Sequence, residues 1–293
     1  MPRHAGAVAL ALVLVWCAHV AAESSPADLW VWGNATAVPI LTPSIAQGLG
    51  VTLVSQFEVL PGGRVVALTT AGELFDLTAR KPLPATSPLH VTSFTSDHDL
   101  LITIRGQRLG WYEEGKIVDR IQLPQSGLTV AAGSKQRLYL YGGRGNGSVI
   151  YLLEQGRAGL LVEIPNGQVS AFTAIGERLF FAVGNTIYTL AAGQPPAVLF
   201  IAAGQTEIRS LAPDPVSGML CFSAGETVYA MRAGVAVSIL RGLAGVLRHA
   251  GDALYVLDPA GGTLVQVRGL EKLIGGGGLA GSAEKPGATP FKE

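Results

Sequence analysis

The pentapeptide Thr227-Val228-Tyr229-Ala230-Met231 recurs along this chain of 293 residues. Thr186-Ile187-Tyr188-Thr189-Leu190 is nearly the same, and residues 73–77, 149–153 and 263–267 keep its outline. Each copy follows a Gly-containing turn, and before the turn stands a second apolar run. Those second runs begin at Arg64, Asp99, Arg137, Arg178, Gly218 and Asp252, at spacings of 35, 38, 41, 40 and 34 residues. A fixed period constrains the fold more than composition does, because each unit must bury the same face against the same kind of neighbour. Four short strands with their turns take about 40 residues.

The runs are about five residues long and rich in β-branched and aromatic side chains, which predicts strands rather than helices. The second runs are apolar at consecutive positions, as strands covered on both faces are. The fourth runs (117–121, 160–164, 198–201 and 237–240) alternate more and are expected to be outer, half-exposed strands. The first runs (51–54, 91–94, 128–131, 169–172, 208–211 and 245–248) carry small and hydroxyl residues, suited to a crowded axis.

The whole, over about residues 28–268, resembles the six-bladed β-propeller: an all-β ring of four-stranded antiparallel blades. A seven-bladed ring with a degenerate first blade is the alternative. The sixth unit has no fourth strand of its own. Residues 27–41 have the length and rhythm of residues 226–240, so an N-terminal strand is expected to close the ring, with Leu29-Trp30-Val31-Trp32 pairing with the sixth blade. Closure removes the open edges of a linear array. Pro61-Gly62-Gly63-Arg64 and Gly176-Glu177-Arg178 resemble the turns of TolB-like and lactonase-like propellers. The lactonase-like resemblance implies a calcium at the axis held by carboxylates and Asn on inner strands. Glu58, Asp97 and Glu207 are the carboxylates near those strands here, and oxygen-rich calcium coordination needs more.

The N-terminus reads as a targeting signal. Arg3 and His4 precede an apolar run from Ala5 to Trp16, too short for a membrane span, and Val20-Ala21-Ala22 offers small residues for cleavage. Residues 1–22 are therefore expected to be a signal peptide, residues 23–268 the propeller, and residues 269–293 a flexible Gly-rich tail. The mature protein is expected to be periplasmic or secreted, with no membrane span. Loss of Cys17 with the signal leaves Cys221 alone, so no internal disulfide is available. Cys221 lies in an apolar run and is read as a core thiol. Lysine plus arginine (21) equals aspartate plus glutamate (21), and no basic stripe exists to neutralise a phosphate backbone, which argues against nucleic acid.

Motifs for chemistry are sparse. The mature chain keeps His90, His98 and His249, with no zinc-type spacing and no Gly-x-Ser-x-Gly elbow. Asp97-His98-Asp99 is the densest polar cluster, placed in a first-to-second strand turn, with His249 and Asp252 expected in the equivalent turn of the sixth unit. The glycine-rich stretch 142–147 runs into another strand, which marks a hairpin rather than a phosphate cradle. Asn34 and Asn146 open glycosylation-type triplets. Trp111 and Tyr112 are an aromatic pair that does not recur per blade. Function on a rigid ring sits in its loops. The leading expectation is an exported, non-catalytic scaffold binding a protein or envelope partner, with Arg80, Lys81, Arg144 and Asn146 on one loop face. The alternatives are a metal-dependent lactonase-like hydrolase or lyase acting in the channel, and a carbohydrate-binding propeller.

Overall fold

The computed structural model describes residues 29–133, 137–191, 193–214 and 216–270. The expected signal peptide, Cys17 and most of the expected tail lie outside the described residues. No helix among the described residues is long and apolar enough to cross a membrane.

Six antiparallel sheets form a six-bladed β-propeller. Blade 1 comprises Val54–Leu60, Arg64–Thr69, Leu74–Asp76 and Lys81–Pro82, from axis to rim. Blade 2 comprises Ser93–Asp97, Leu100–Arg105, Arg108–Glu113 and Lys116–Gln122; blade 3 comprises Thr129–Ala132, Leu138–Arg144, Gly147–Glu154 and Arg157–Ile164. Blade 4 comprises Val169–Ile175, Arg178–Val183, Thr186–Leu190 and Ala197–Ile201; blade 5 comprises Ile208–Pro213, Leu220–Ala224, Thr227–Arg232 and Val235–Arg241. Blade 6 has Val246–Ala250, Ala253–Asp258 and Thr263–Arg268, and takes its outer strand, Thr36–Leu41, from the N-terminus.

The N-terminal segment closes the ring, though by different pairings from those expected. Thr36–Leu41, not Trp30–Val31, completes blade 6, with Thr36 opposite Arg268 and Leu41 opposite Leu264. Trp30–Val31 instead adds a fifth strand to blade 5, with Trp30 opposite Arg241 and its ring 5.0 Å from that guanidinium. The reason lies in the two-residue reach of the turn at Gly33 and Asn34. It lets the segment step from the outer edge of one blade to the open third strand of the next. Between this strand and blade 1, Pro43–Leu49 forms a short helix that the strand rhythm did not announce. Thr42 caps it, its Oγ1 accepting from the Ile45 N–H at 3.3 Å, Pro43 opens it, and Gly50 ends it at φ +67°.

The core is six seams rather than one centre. Six clusters of buried apolar residues lie one between each neighbouring pair of blades. Alternation on the second strands feeds both sides. Val65 and Ala67 pack toward blade 6, whereas Val66 and Leu68 pack toward blade 2. Cys221 likewise turns to the blade 6 side, while Leu220 and Phe222 turn to blade 4. Burial pushes the Cys221 thiol up to about 12, so it is a core residue and not a nucleophile. The recurrent tyrosines stack across strands onto phenylalanines of the second strand: Tyr188 on Phe181 at 5.3 Å and Tyr229 on Phe222 at 4.9 Å. The 142–147 stretch is a hairpin turn, and a Cβ at Gly147 would run into the Ile164 carbonyl.

Leu41 is fully buried in the seam between blades 6 and 1. Leu41→Ala is expected to cost about 2–5 kcal/mol in denaturant unfolding. A shift under about 1 kcal/mol would mean that Thr36–Leu41 is dispensable for closure.

Candidate functional site

The innermost strand of every blade is a sheet edge facing the axis, so its outward N–H and C=O groups have no strand partner within the blade. Side chains of neighbouring blades supply it. The Gln56 amide spans to blade 2, its Oε1 accepting from the Phe94 N–H (3.3 Å) and its Nε2 donating to the Phe94 carbonyl (2.7 Å). Ser93 and Thr95 accept from the N–H groups of Val130 and Ala132, both at 3.2 Å. Ser148 accepts from Val169 N–H at 2.9 Å, and Ser170 donates to the Ile208 carbonyl at 2.6 Å. Ser210 accepts from Leu247 N–H at 2.9 Å. At the sixth seam the link is an ion pair: Arg248 Nε donates to Glu58 Oε1 at 2.8 Å, and its Nη1 to the Leu247 carbonyl at 2.8 Å. The hydroxyl richness expected at the axis thus has a bonding cause, not only a steric one.

These strands enclose a central channel with a cavity of about 580 Å³, lined from all six blades. Its wall is mixed: Gln56, Thr92, Thr95, Thr129 and Ser170 reach it with Tyr141 and the Glu58–Arg248 pair, between apolar residues such as Ala132, Phe172, Leu211 and Val246. Burial raises the Glu58 carboxyl above its ordinary value, opposed by the charge and hydrogen bond of Arg248. Burial likewise raises the Tyr141 phenol, opposed by Arg248 and by a bond with Thr129.

Of the three carboxylates marked in the sequence, Glu58 lines the channel, while Asp97 lines a second cavity of about 470 Å³ and Glu207 lines neither. Among the described residues no group of three or more His, Cys, Asp or Glu comes together. A single carboxylate already committed to a guanidinium does not fit the oxygen-rich, carboxylate-bearing shell of a calcium ion.

The Asp97-His98-Asp99 cluster is a turn, with His98 at φ +55°. His98 Nδ1 lies 2.9 Å from Asp97 Oδ1, on an imidazole 80 % exposed. Asp252 shares the second cavity with this pair. His249 does not sit in the equivalent turn: it lies within the innermost strand of blade 6, and its side chain is only 5 % exposed. Its partner is Asp214, which the sequence reading passed over, with Nδ1 to Oδ1 at 4.0 Å. Asp214 ties its own turn by accepting from Val216 N–H (2.9 Å) and from the Ser217 hydroxyl. An Asp three residues before a Ser in a turn was the available signal.

The four residues expected on one loop face divide between two. Antiparallel succession puts second-to-third turns at one end of the ring and third-to-fourth turns at the other. Arg144 and Asn146 flank a second-to-third turn, with Arg144 3.8 Å from Glu163. Arg80 ends a third-to-fourth turn and Lys81 starts the outer strand. That outer strand, Lys81–Pro82, is two residues long and ends in a proline, so the sequence offers no rhythm that marks it. Tyr112 donates to the Pro84 carbonyl at 2.6 Å and Trp111 packs into the seam of blades 2 and 3, so neither is a free sugar platform.

Burial depresses the pKa of His249 below 6.5, although Asp214 and Asp252 pull the other way. Below pH 6.5 the unfolded chain therefore takes up a proton that the folded chain refuses, and stability falls as pH drops through that window toward the folded value. Unfolding midpoints measured between about pH 5 and 8 are expected to show this slope in the parent and a flatter one in His249→Phe. Superimposable profiles would remove His249 as its source.

No protein-family model matches this chain. No curated protein matches it in sequence either. Solved structures do. A virginiamycin B lyase from Staphylococcus aureus superposes with a TM-score of 0.53 at 13% identity, over 73% of this chain and 80% of its own. A candidate gluconolactonase gives 0.56 at 15% identity, over 84% and 96%. The extracellular domain of a candidate one-component system from Bacteroides thetaiotaomicron gives 0.52 at 15% identity, over 72% of this chain and 32% of that one. Identities this low carry the fold alone, and enzymes and non-enzymes share it. What the likeness establishes is that the chain belongs among the six-bladed β-propellers.

Proposed function

We propose that the protein is an exported, non-catalytic binding propeller whose ligand is a small polar molecule held in the central channel. The supporting observation is the channel itself: a cavity of about 580 Å³ lined from all six blades, in which the Gln56 amide and the hydroxyls of Ser55, Thr92, Thr95, Thr129 and Ser170 interrupt a partly apolar wall. Export rests on the N-terminal reading. An extracellular domain among the structural neighbours is in keeping with it. A hydrolytic metal site is not part of this reading, because the carboxylates that it needs do not converge on the axis.

Ala132 lines the channel on blade 3. Because Ala132 also borders the seam of blades 2 and 3, Ala132→Phe is expected to cost about 1–3 kcal/mol of stability while still folding, and to abolish binding of small polyols and sugars in ligand-observed NMR. Unchanged binding in that variant would move the site elsewhere.

A second reading, a protein partner, has its own observation. The outer strands of blades 3 and 4 end in open edges and expose Leu160, Leu161, Val198 (57 %) and Ile201 (59 %). On blade 5 the corresponding edge is covered by the chain's own Trp30–Val31. The same chemistry would take an extended apolar segment of a partner as an added strand. A photo-crosslinker at Val198 is expected to map to one such segment by mass spectrometry. Adducts scattered over unrelated proteins would sink this reading.

A further inference from the structure

One circle of equivalent positions lines the channel. It falls one residue after the first residue of each predicted innermost run from blade 2 to blade 6, and at Ser55, after Val54, in blade 1. Around the ring it reads Ser55, Thr92, Thr129, Ser170, Arg209 and Val246, and all six line the cavity. In blades 1, 4 and 5 the pairing slips at this position: one residue of the innermost strand is extra, between Val54 and Gln56, Val169 and Ala171, and Ile208 and Ser210. Such a bulge re-aims the extra residue's side chain. On three blades the hydroxyl is spent on the wall. Ser55 donates to the Leu68 carbonyl (3.2 Å), Thr92 to Ile104 (3.1 Å) and Ser170 to Ile208 (2.6 Å).

Blade 5 breaks the pattern. Its bulge carries Arg209, exposed at the cavity wall, with no hydrogen bond or ion pair among the described residues. The other charged side chains of the lining are Arg248 and Glu58, which engage each other at 2.8 Å. His249, also at this wall, has its pKa lowered by burial, against the pull of Asp214 and Asp252. The lining therefore has one positive charge in excess, on the one group that is uncommitted. A concave wall concentrates the field of such a charge, and a planar guanidinium presents paired donors matched to an oxyanion.

We propose that Arg209 anchors the oxyanion group, carboxylate or phosphate, of a small hydroxylated molecule whose frame lies against the hydroxyl circle of the channel. This rests on the channel reading given under the proposed function and narrows it to an anionic ligand class. Arg209 lies outside every seam link, so its removal leaves the ring intact. Arg209→Gln is expected to unfold at the parental midpoint.

Calorimetric titration of the full chain with glucose, glucuronate and glucose 6-phosphate separates the possibilities, since the three share a frame and differ in charge. Binding of one or both charged sugars is expected to exceed that of glucose, to weaken with added salt, and to fall about tenfold or more in Arg209→Gln with partial rescue in Arg209→Lys. Which charged sugar binds assigns the group as carboxylate or phosphate. Glucose binding as tightly as its charged counterparts, or an unaffected Arg209→Gln, would overturn the anionic class while leaving the channel reading in place. Binding of none of the three, in parent and variant alike, would overturn both.

Discussion

Every blade of a propeller begins with a strand whose inner edge has no strand to pair with, and the ring exists only if six such edges are satisfied. Here the neighbours do it with side chains. Gln56, Ser93, Thr95, Ser148, Ser170 and Ser210 each bond backbone groups of the next blade, and Arg248 closes the circuit onto Glu58. These bonds fix how close and at what angle adjacent blades stand, and the apolar seams then pack behind them. Losing one leaves a buried backbone group dry, which costs about 1–3 kcal/mol. The channel is a by-product of the same device. Hydroxyls recruited to link blades also make the axis polar.

That link between architecture and chemistry explains why the site is modest in catalytic equipment. Most polar side chains at the axis are already bonded to backbone. The acid is held by a base, the histidine is buried against Asp214, and the thiol is in a seam. What is left over is Arg209, and its freedom is visible only because its counterparts around the circle are engaged.

Much of the fold could be read from the chain because burial repeats. Consecutive apolar positions on the second strands encode two-sided packing, and the matching tyrosines encode cross-strand stacks on Phe181 and Phe222. Three things resisted. The outer strand of blade 1 is two residues long and ends in Pro82, so no alternation marks it. The helix after Thr42 is too short for apolar periodicity and is announced only by its caps. The axial bulges add single residues that shift facing without altering composition, so Arg209 looks in sequence like any surface arginine. The contact between neighbouring blades that pairs Asp214 with His249 spans residues far apart in sequence, so only the turn around Asp214, and not its partner, is legible locally.

The closing strand has a kinetic meaning. Thr36 finds its place opposite Arg268, 232 residues further on. A chain emerging N-terminus first must carry this strand unpaired until the last blade exists, so the final seam cannot form before Arg268 has been made. Five seams can assemble in order behind the moving chain. The sixth joins segments that are far apart in sequence, so it carries the largest loop-closure entropy of the ring. The same strand that completes the sixth blade of the finished ring thus keeps the ring open until the last blade has been made.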